Sequence, residues 1–382
     1  MKQWYFFLLF IGLSFMMTDF THGQSKKTCF SIYPQGGIKE KYQCLIDGKD
    51  TIKDGFYTYY YPNQVPYQQG IFRNNLLDSV WNIYYNNGTI KARYSYFRSV
   101  LHGEFSLYFM NGLPYQKGNY RYGELDGELI TFNSDGSTAK VETFKKNRIE
   151  GLYKEYYPNG NPREISYRIG EKSNGETKLF HENGQLNYYG HKINDLWEGE
   201  VLIYDKNGNL QSRVLYKNGK INGNYVVYYP DNKKIKSITP FVNNREEGTQ
   251  LFYNVLGQLT ETINYSCGKR HGPAIVWFAN GTIYLEGQYL NNHFSGEWNF
   301  YHSNGTLKQR GKYVDDEATG IWYFGHGNGQ LFTTGEYLRD QKEGIWTEFD
   351  ENGYPIDYVL YVNGVEFMRR KNRDQHSLDP KE

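Results

Sequence analysis

The chain has 382 residues and a formal net charge of +1, with 22% charged and 38% hydrophobic residues. That balance supplies no general drive towards nucleic acid or anionic lipid, so neither nucleic-acid binding nor strong membrane binding is expected. The 38 Tyr and 41 Gly, beside sparse Leu, Ile and Val, point to an all-β chain with many reversals. Tyr suits a half-exposed sheet and Gly permits tight turns.

In chain order, the first stretch carries one early Lys and an apolar run from Trp4 to Met17. A run of about 14 residues is too short to cross a bilayer, which needs roughly 20. Thr21 and Gly23 suit a cleavage before Gln24. Residues 1–23 are therefore expected to be a secretory signal peptide, with an uncleaved membrane anchor as the alternative, and the protein to be exported: periplasmic, cell-surface or secreted. Residues 24–54 are expected to form an atypical capping hairpin. A two-residue turn at Gly36-Gly37 in "CFSIYPQGGIKEKYQC" would set Cys29 directly opposite Cys44. That register admits a disulfide in an oxidising compartment, although a hydrogen-bonded pair is the less favourable setting for one.

From residue 55 to 367 a single frame repeats. Its leading glycine is Gly55, then Ser79 in its place, Gly103, Gly127, Gly151, Gly175, Gly199, Gly223, Gly248, Gly272, Gly296, Gly320 and Gly344. Every step is 24 residues except Gly223 to Gly248, which is 25, giving thirteen repeats. Five residues after the leading place comes an aromatic, as at Tyr84, Tyr108 and Tyr301. Asn-Gly or a relative follows, as at Asn87-Gly88 and Asn304-Gly305. A second aromatic column runs through Tyr289, Tyr313, Tyr337 and Tyr361.

Asn-Gly between two β-prone runs predicts a tight primed turn, which needs positive φ at both central residues. The leading glycine is expected at the other reversal. Each repeat then reads as two short antiparallel strands, and the whole as an elongated, single-layer antiparallel meander of about thirteen hairpins. No amphipathic helix survives Gly and Asn at this density. About 26 strands would give a sheet on the order of 120 Å long, stabilised by nearest neighbours as solenoids are.

The stretches Ser79–Ile90 and Gly296–Leu307 resemble the MORN (membrane occupation and recognition nexus) repeat, in its bacterial variant form. The resemblance implies a meander of β-hairpins with a binding or scaffolding role, and some relatives carry an antitoxin label. The segment "YDKNGNLQSRVLY" (204–216) is also similar to the tyrosine-aspartate repeats of toxin shells, but the Tyr-Asp step occurs only at Tyr204-Asp205.

The residues that could carry chemistry are few. His181, His302 and His326 share one repeat position, and equivalents in adjacent repeats lie roughly 9–10 Å apart, too far to share one zinc. His271 and His293 fall in or beside turns. Acidic pairs such as Glu246-Glu247 and Asp315-Asp316 lack the alternating loop of a calcium site. Cys267 is expected to be a free thiol, and residues 368–382 a charged, frame-free tail. No catalytic residue, metal ligand or cofactor is expected. Trp298, Trp322 and Trp346 recur on one side of the ribbon. They are expected either to pack on one another or to form an exposed stripe that binds. The sequence thus predicts a non-catalytic scaffold whose partner is another protein or a surface glycan, with an immunity-type role as a further alternative.

Overall fold

A computed structural model describes residues 26–230 and 234–372. The expected signal peptide and residues 373–382 lie outside the described residues. Those described form 31 strands and no helix. The chain divides into two units. One takes the described residues up to Gly127 together with Ser134–Gly136; the other takes Glu128–Asn133 and the described residues from Ser137 on. Inside each, strands pair antiparallel with their sequence neighbours, as in Val100–Tyr108 with Pro114–Arg121 and His293–Tyr301 with Leu307–Val314.

The two kinds of reversal are the opposite of the expectation. At the Asn-Gly loops only the glycine is left-handed, as Gly88 is with φ 86°. The Tyr85 N–H donates to the Thr89 carbonyl at 2.8 Å, and the Gly88 N–H to the Tyr85 carbonyl at 2.9 Å. This is a three-residue loop, a type I turn closed by a glycine bulge. The asparagine remains outside the left-handed region because its side chain works within the loop: Asn87 Oδ1 accepts from the Thr89 N–H at 3.0 Å.

The primed turns lie at the other end of each hairpin. Asn74 and Asn75 have φ 50° and 64°, and Asp315 and Asp316 have 51° and 71°. The leading glycine, expected at this reversal, sits inside a strand instead. Gly223 lies within Lys220–Tyr228 with φ 124°. The register with the preceding strand slips between Val214 and Tyr216, so the glycine marks a bulge. A Cβ there would lie 2.5 Å from Leu215 Cδ2. Ser79 adopts the same left-handed backbone, φ 60°, in its strand.

The first hairpin joins Lys27–Ile32 to Ile38–Asp47. Its reversal spans Tyr33–Gly37, with a bulge between Ser31 and Ile32. The extra residues shift the register from the one expected, so Cys29 opposes Tyr42 and Lys27 opposes Cys44. The two cysteines are diagonal neighbours on one face and are bridged, S–S 2.06 Å. At the other end, Met368–Lys371 belongs to the last strand, Val365–Lys371. The charged tail therefore starts later than the loss of frame suggests, because pairing with Pro355–Val362 extends the sheet.

Within each unit much of the core is a column of side chains, formed by the second residue after each leading place and its cross-strand partner. In the second unit it reads Trp298 opposite Gly311, Trp322 opposite Gly335 and Trp346 opposite Val359. Large and small residues alternate because each glycine lies between two indoles. A Cβ on Gly311 would come within 2.1 Å of Trp322, and one on Gly335 within 2.3 Å of Trp346. Gly70 and Trp81 repeat the arrangement in the first unit, at 2.2 Å.

Candidate interaction surface

Each surface of the sheet is either closed by its own chemistry or left open. The core face is closed. Trp298, Trp322 and Trp346 are 0%, 2% and 1% exposed, so the exposed aromatic stripe is corrected: these rings reach no solvent. The second aromatic column seals them edge-on. Tyr313 packs on Trp322 at 5.0 Å and Tyr337 on Trp346 at 5.1 Å, while Phe294 covers Trp298 at 4.2 Å. The Trp298 and Trp346 indoles donate to the Gln288 and Glu336 carbonyls at 3.1 and 3.2 Å.

The Asn-Gly edge is also satisfied internally. Asn280 Nδ2 donates to the Ser303 carbonyl at 2.8 Å, Asn304 to Gly327 at 2.7 Å and Asn328 to Glu351 at 2.9 Å. Beside them the Tyr157 hydroxyl donates to the Phe180 carbonyl at 2.9 Å. His181, His302 and His326 occupy the tyrosine's place and set Nε2 at 3.0, 3.3 and 3.4 Å from the carbonyls of Tyr204, Gly325 and Phe349. The three histidines therefore join consecutive repeats.

The primed-turn edge is tied in the same way. Asn292 Oδ1 accepts from the Arg270 N–H at 2.8 Å, and Asp316 Oδ1 from Phe294 at 2.5 Å. His293 Nδ1 lies 2.6 Å from Asp316 Oδ2 and holds that carboxyl below its ordinary range. Glu246 and Glu247 flank an exposed thiol, Cys267, whose N–H donates to Glu247 Oε2 at 2.7 Å.

In each unit a cation stands beside the core side chains. In the first unit Lys53 Nζ lies 4.7 and 4.6 Å from the Tyr42 and Tyr57 ring centres and 3.1 Å from Glu40. Partial burial works against ionisation of Glu40, but Lys53 and Tyr57 hold its carboxyl below the usual value. Burial, then Glu40, pushes the Tyr57 hydroxyl well up. In the second unit Arg369 stands opposite Val359 and reaches Glu366 at 3.1 Å, Glu348 at 2.8 Å and Asp357 at 2.7 Å.

The outer face and the last strand remain open. Phe56 and Val80 stand out from the first unit, and Leu152, Tyr167, Leu215, Ile321 and Ile345 from the second. Ile345 opposes Leu360, which opposes Met368. With Tyr358 and Arg370 they line an open groove of about 1070 Å³ beside the last strand. Phe56, Val80, Leu152, Ile321 and Ile345 escaped the sequence reading because their shared repeat position also holds Glu104, Asn224 and Pro273. The glycine eleven residues before a tryptophan, as at Gly311 and Trp322, was the available signal for the buried column.

A single-sheet stack of hairpins with sealed edges defines an all-β repeat protein. Five stretches match the MORN repeat variant, at residues 149–168, 173–191, 197–218, 270–291 and 294–315, and the chain carries repeats of that family there. Such repeats build scaffolds and commonly bind other proteins. No curated protein matches the chain. Among solved structures it is similar to the Photorhabdus luminescens Tc holotoxin pore, at 12% identity over 91% of this chain and 20% of that one, TM-score 0.18. It is also similar to TcdB2-TccC3-TEV, at 11% identity over 87% and 20%, TM-score 0.17. The chain spans about a fifth of the length of these proteins.

Proposed function

We propose that this chain is a non-catalytic scaffold working outside the cytoplasm, and that it holds a partner protein against its outer sheet face. The observation that carries the reading is the exposure of Ile321 (59%) and Ile345 (65%) on the face opposite a sealed tryptophan column. Large apolar side chains standing free on a sheet whose core is already complete mark an interaction surface. The Cys29–Cys44 bridge supports an oxidising compartment, since such bonds persist in exported proteins. A glycan partner loses its support, because the tryptophans that would stack on a sugar are buried.

The test places a photo-crosslinking residue at position 345 of the full chain and, separately, at position 346. Protein adducts from the cell envelope at 345 and none at 346 are expected. Lipid or glycan adducts alone at 345, or equal labelling at both positions, would overturn the reading.

A further inference from the structure

Among the described residues, the last strand, Val365–Lys371, is paired on one side only and is exposed along its whole length. Its outward backbone groups form a template for another strand. We propose that this edge binds an extended segment of a partner protein, acidic at its start and apolar after it, as one more antiparallel strand. The inference rests on the protein-binding reading and gives its partner a chemistry.

Three observations shape the occupant. First, the core side of the edge is already closed. Arg369 continues the core column beyond Val359, and Glu366, Glu348 and Asp357 satisfy it. An incoming strand need contribute nothing to the core. Second, the outer side is apolar: Met368, 57% exposed, extends the row from Ile345 through Leu360, and Phe367 is exposed beside it in a bulge. Third, the strand ends on two cations, Arg370 and Lys371, that form no ion pair among the described residues; Asp357, which stands opposite Lys371, is already bound to Arg369. Antiparallel addition brings the start of the incoming segment beside these cations and its later residues beside Met368 and Val365. Opposite charges across a strand pair are favourable and like charges are not.

The same rule disfavours a second copy joined head to tail. Continuing the meander into another molecule would bring its first strand, Lys27–Ile32, alongside, with Lys27 next to Lys371. Basic would meet basic. Strand addition of this kind draws affinity from main-chain hydrogen bonds and specificity from alternate side chains.

The probe is a fluorescent, terminally capped peptide reading Glu-Glu-Val-Ile-Val-Thr, with its reversed sequence as control, titrated into the full chain by anisotropy. The acid-first peptide is expected to bind at least tenfold tighter than its reverse. The Arg370→Glu, Lys371→Glu double variant, whose exposed substitutions leave the core untouched, should weaken it at least tenfold. Hydrogen exchange should show the Val365–Lys371 amides fast in the free protein and slowed by the peptide. Equal binding of the two peptides, or no response to the charge reversal, would overturn the inference. So would amides already protected in the free chain, with native mass distinguishing a second copy from the chain's own residues 373–382. If these arms fail while crosslinking at position 345 still captures protein, only the edge assignment falls.

Discussion

Within the second unit, the column from Trp298 to Val359 and the column from Glu142 to Gly190 occupy the same places in the frame with opposite chemistry. The first alternates tryptophan with glycine. The second sets Glu142 opposite Tyr153, Tyr153 opposite Ser166, Ser166 opposite Thr177 and Thr177 opposite Gly190. Ser166 and Thr177 are as buried as the tryptophans. The polar stretch is held by side-chain bonds instead: Ser166 Oγ donates to Glu164 at 2.7 Å, Arg168 reaches Glu164 at 3.3 Å, and its guanidinium lies 3.4 Å from the Tyr153 ring centre. Burying a tryptophan removes roughly 150–250 Å² from water, about 4–6 kcal/mol at most. A neutral hydrogen bond contributes about 1 kcal/mol net. One geometry thus tolerates either core, and the tryptophan stretch is the stronger. In a chain stabilised by neighbours, the polar stretch should open first.

The largest effect expected from breaking this contrast is at Gly311. Gly311→Val places carbon where Trp322 lies, so the indole must leave its slot. A loss of roughly 3–5 kcal/mol follows, comparable with deleting a buried Trp. Urea unfolding followed by tryptophan fluorescence measures it. The double variant with Trp322→Ala should cost clearly less than the sum of the two singles, because the clash disappears with the ring. Additive losses would mean that the glycine is there for some other reason.

Next in size is Arg168→Ala in the polar stretch. It strips Glu164 of its cation and Tyr153 of its cover, where both members of the ion pair are largely shielded from solvent. About 1–3 kcal/mol should be lost. Hydrogen exchange should accelerate over residues 148–180 and hardly at all over 293–361. Uniform acceleration across both stretches would contradict a neighbour-limited column.

The 24-residue period was legible because two backbone demands recur with it: a left-handed residue closing each loop and another at each mid-strand bulge. Glycine answers both demands at Gly305 and Gly296, so the frame appears as spacing. What it marks was misplaced, since spacing alone does not separate a bulge from a turn. The core column was harder to see, because its place holds Trp322, Thr177, Val201 and Gln250 alike. Alternation assigned the tryptophans to one face, but burial depends on Tyr313, Tyr337 and Phe294, which arrive from other strands. The open outer face was illegible for the converse reason: nothing constrains residues there, so Ile345 stands in a column with Glu104 and Asn224.

A smaller effect is common to the two stretches and appears with pH. Burial, then a 2.7 Å hydrogen bond to Glu286, pushes the Tyr301 hydroxyl up to about 12. Burial, with nearby Glu155, does the same for Tyr153. A hydroxyl whose pKa is higher in the folded protein than its ordinary 10.0 stabilises the fold fully below pH 10. That contribution is lost as pH rises through about 12. Tyr301→Phe removes the titration, so stability relative to wild type should improve as pH climbs from 10 to 12. Difference absorbance of tyrosinate together with urea midpoints tests this, and a constant difference across the window would contradict it.

The smallest effect expected is at His302, and it tests whether the histidines are structural. In neighbouring places of the frame a tyrosine hydroxyl makes the bond to the next repeat, as Tyr157 does to Phe180. His302 Nε2 makes the equivalent contact with Gly325 at 3.3 Å. His302→Tyr should therefore preserve the link and change stability by no more than about 0.5 kcal/mol, while His302→Ala should lose about 1 kcal/mol with the bond. Both values come from urea midpoints, measured with and without added zinc. Because His302 and His326 each spend a ring nitrogen on the next repeat's carbonyl, zinc should shift wild type and His302→Tyr equally. A zinc-dependent rise confined to wild type would show that the histidine column binds metal and that its contact with the carbonyl is incidental.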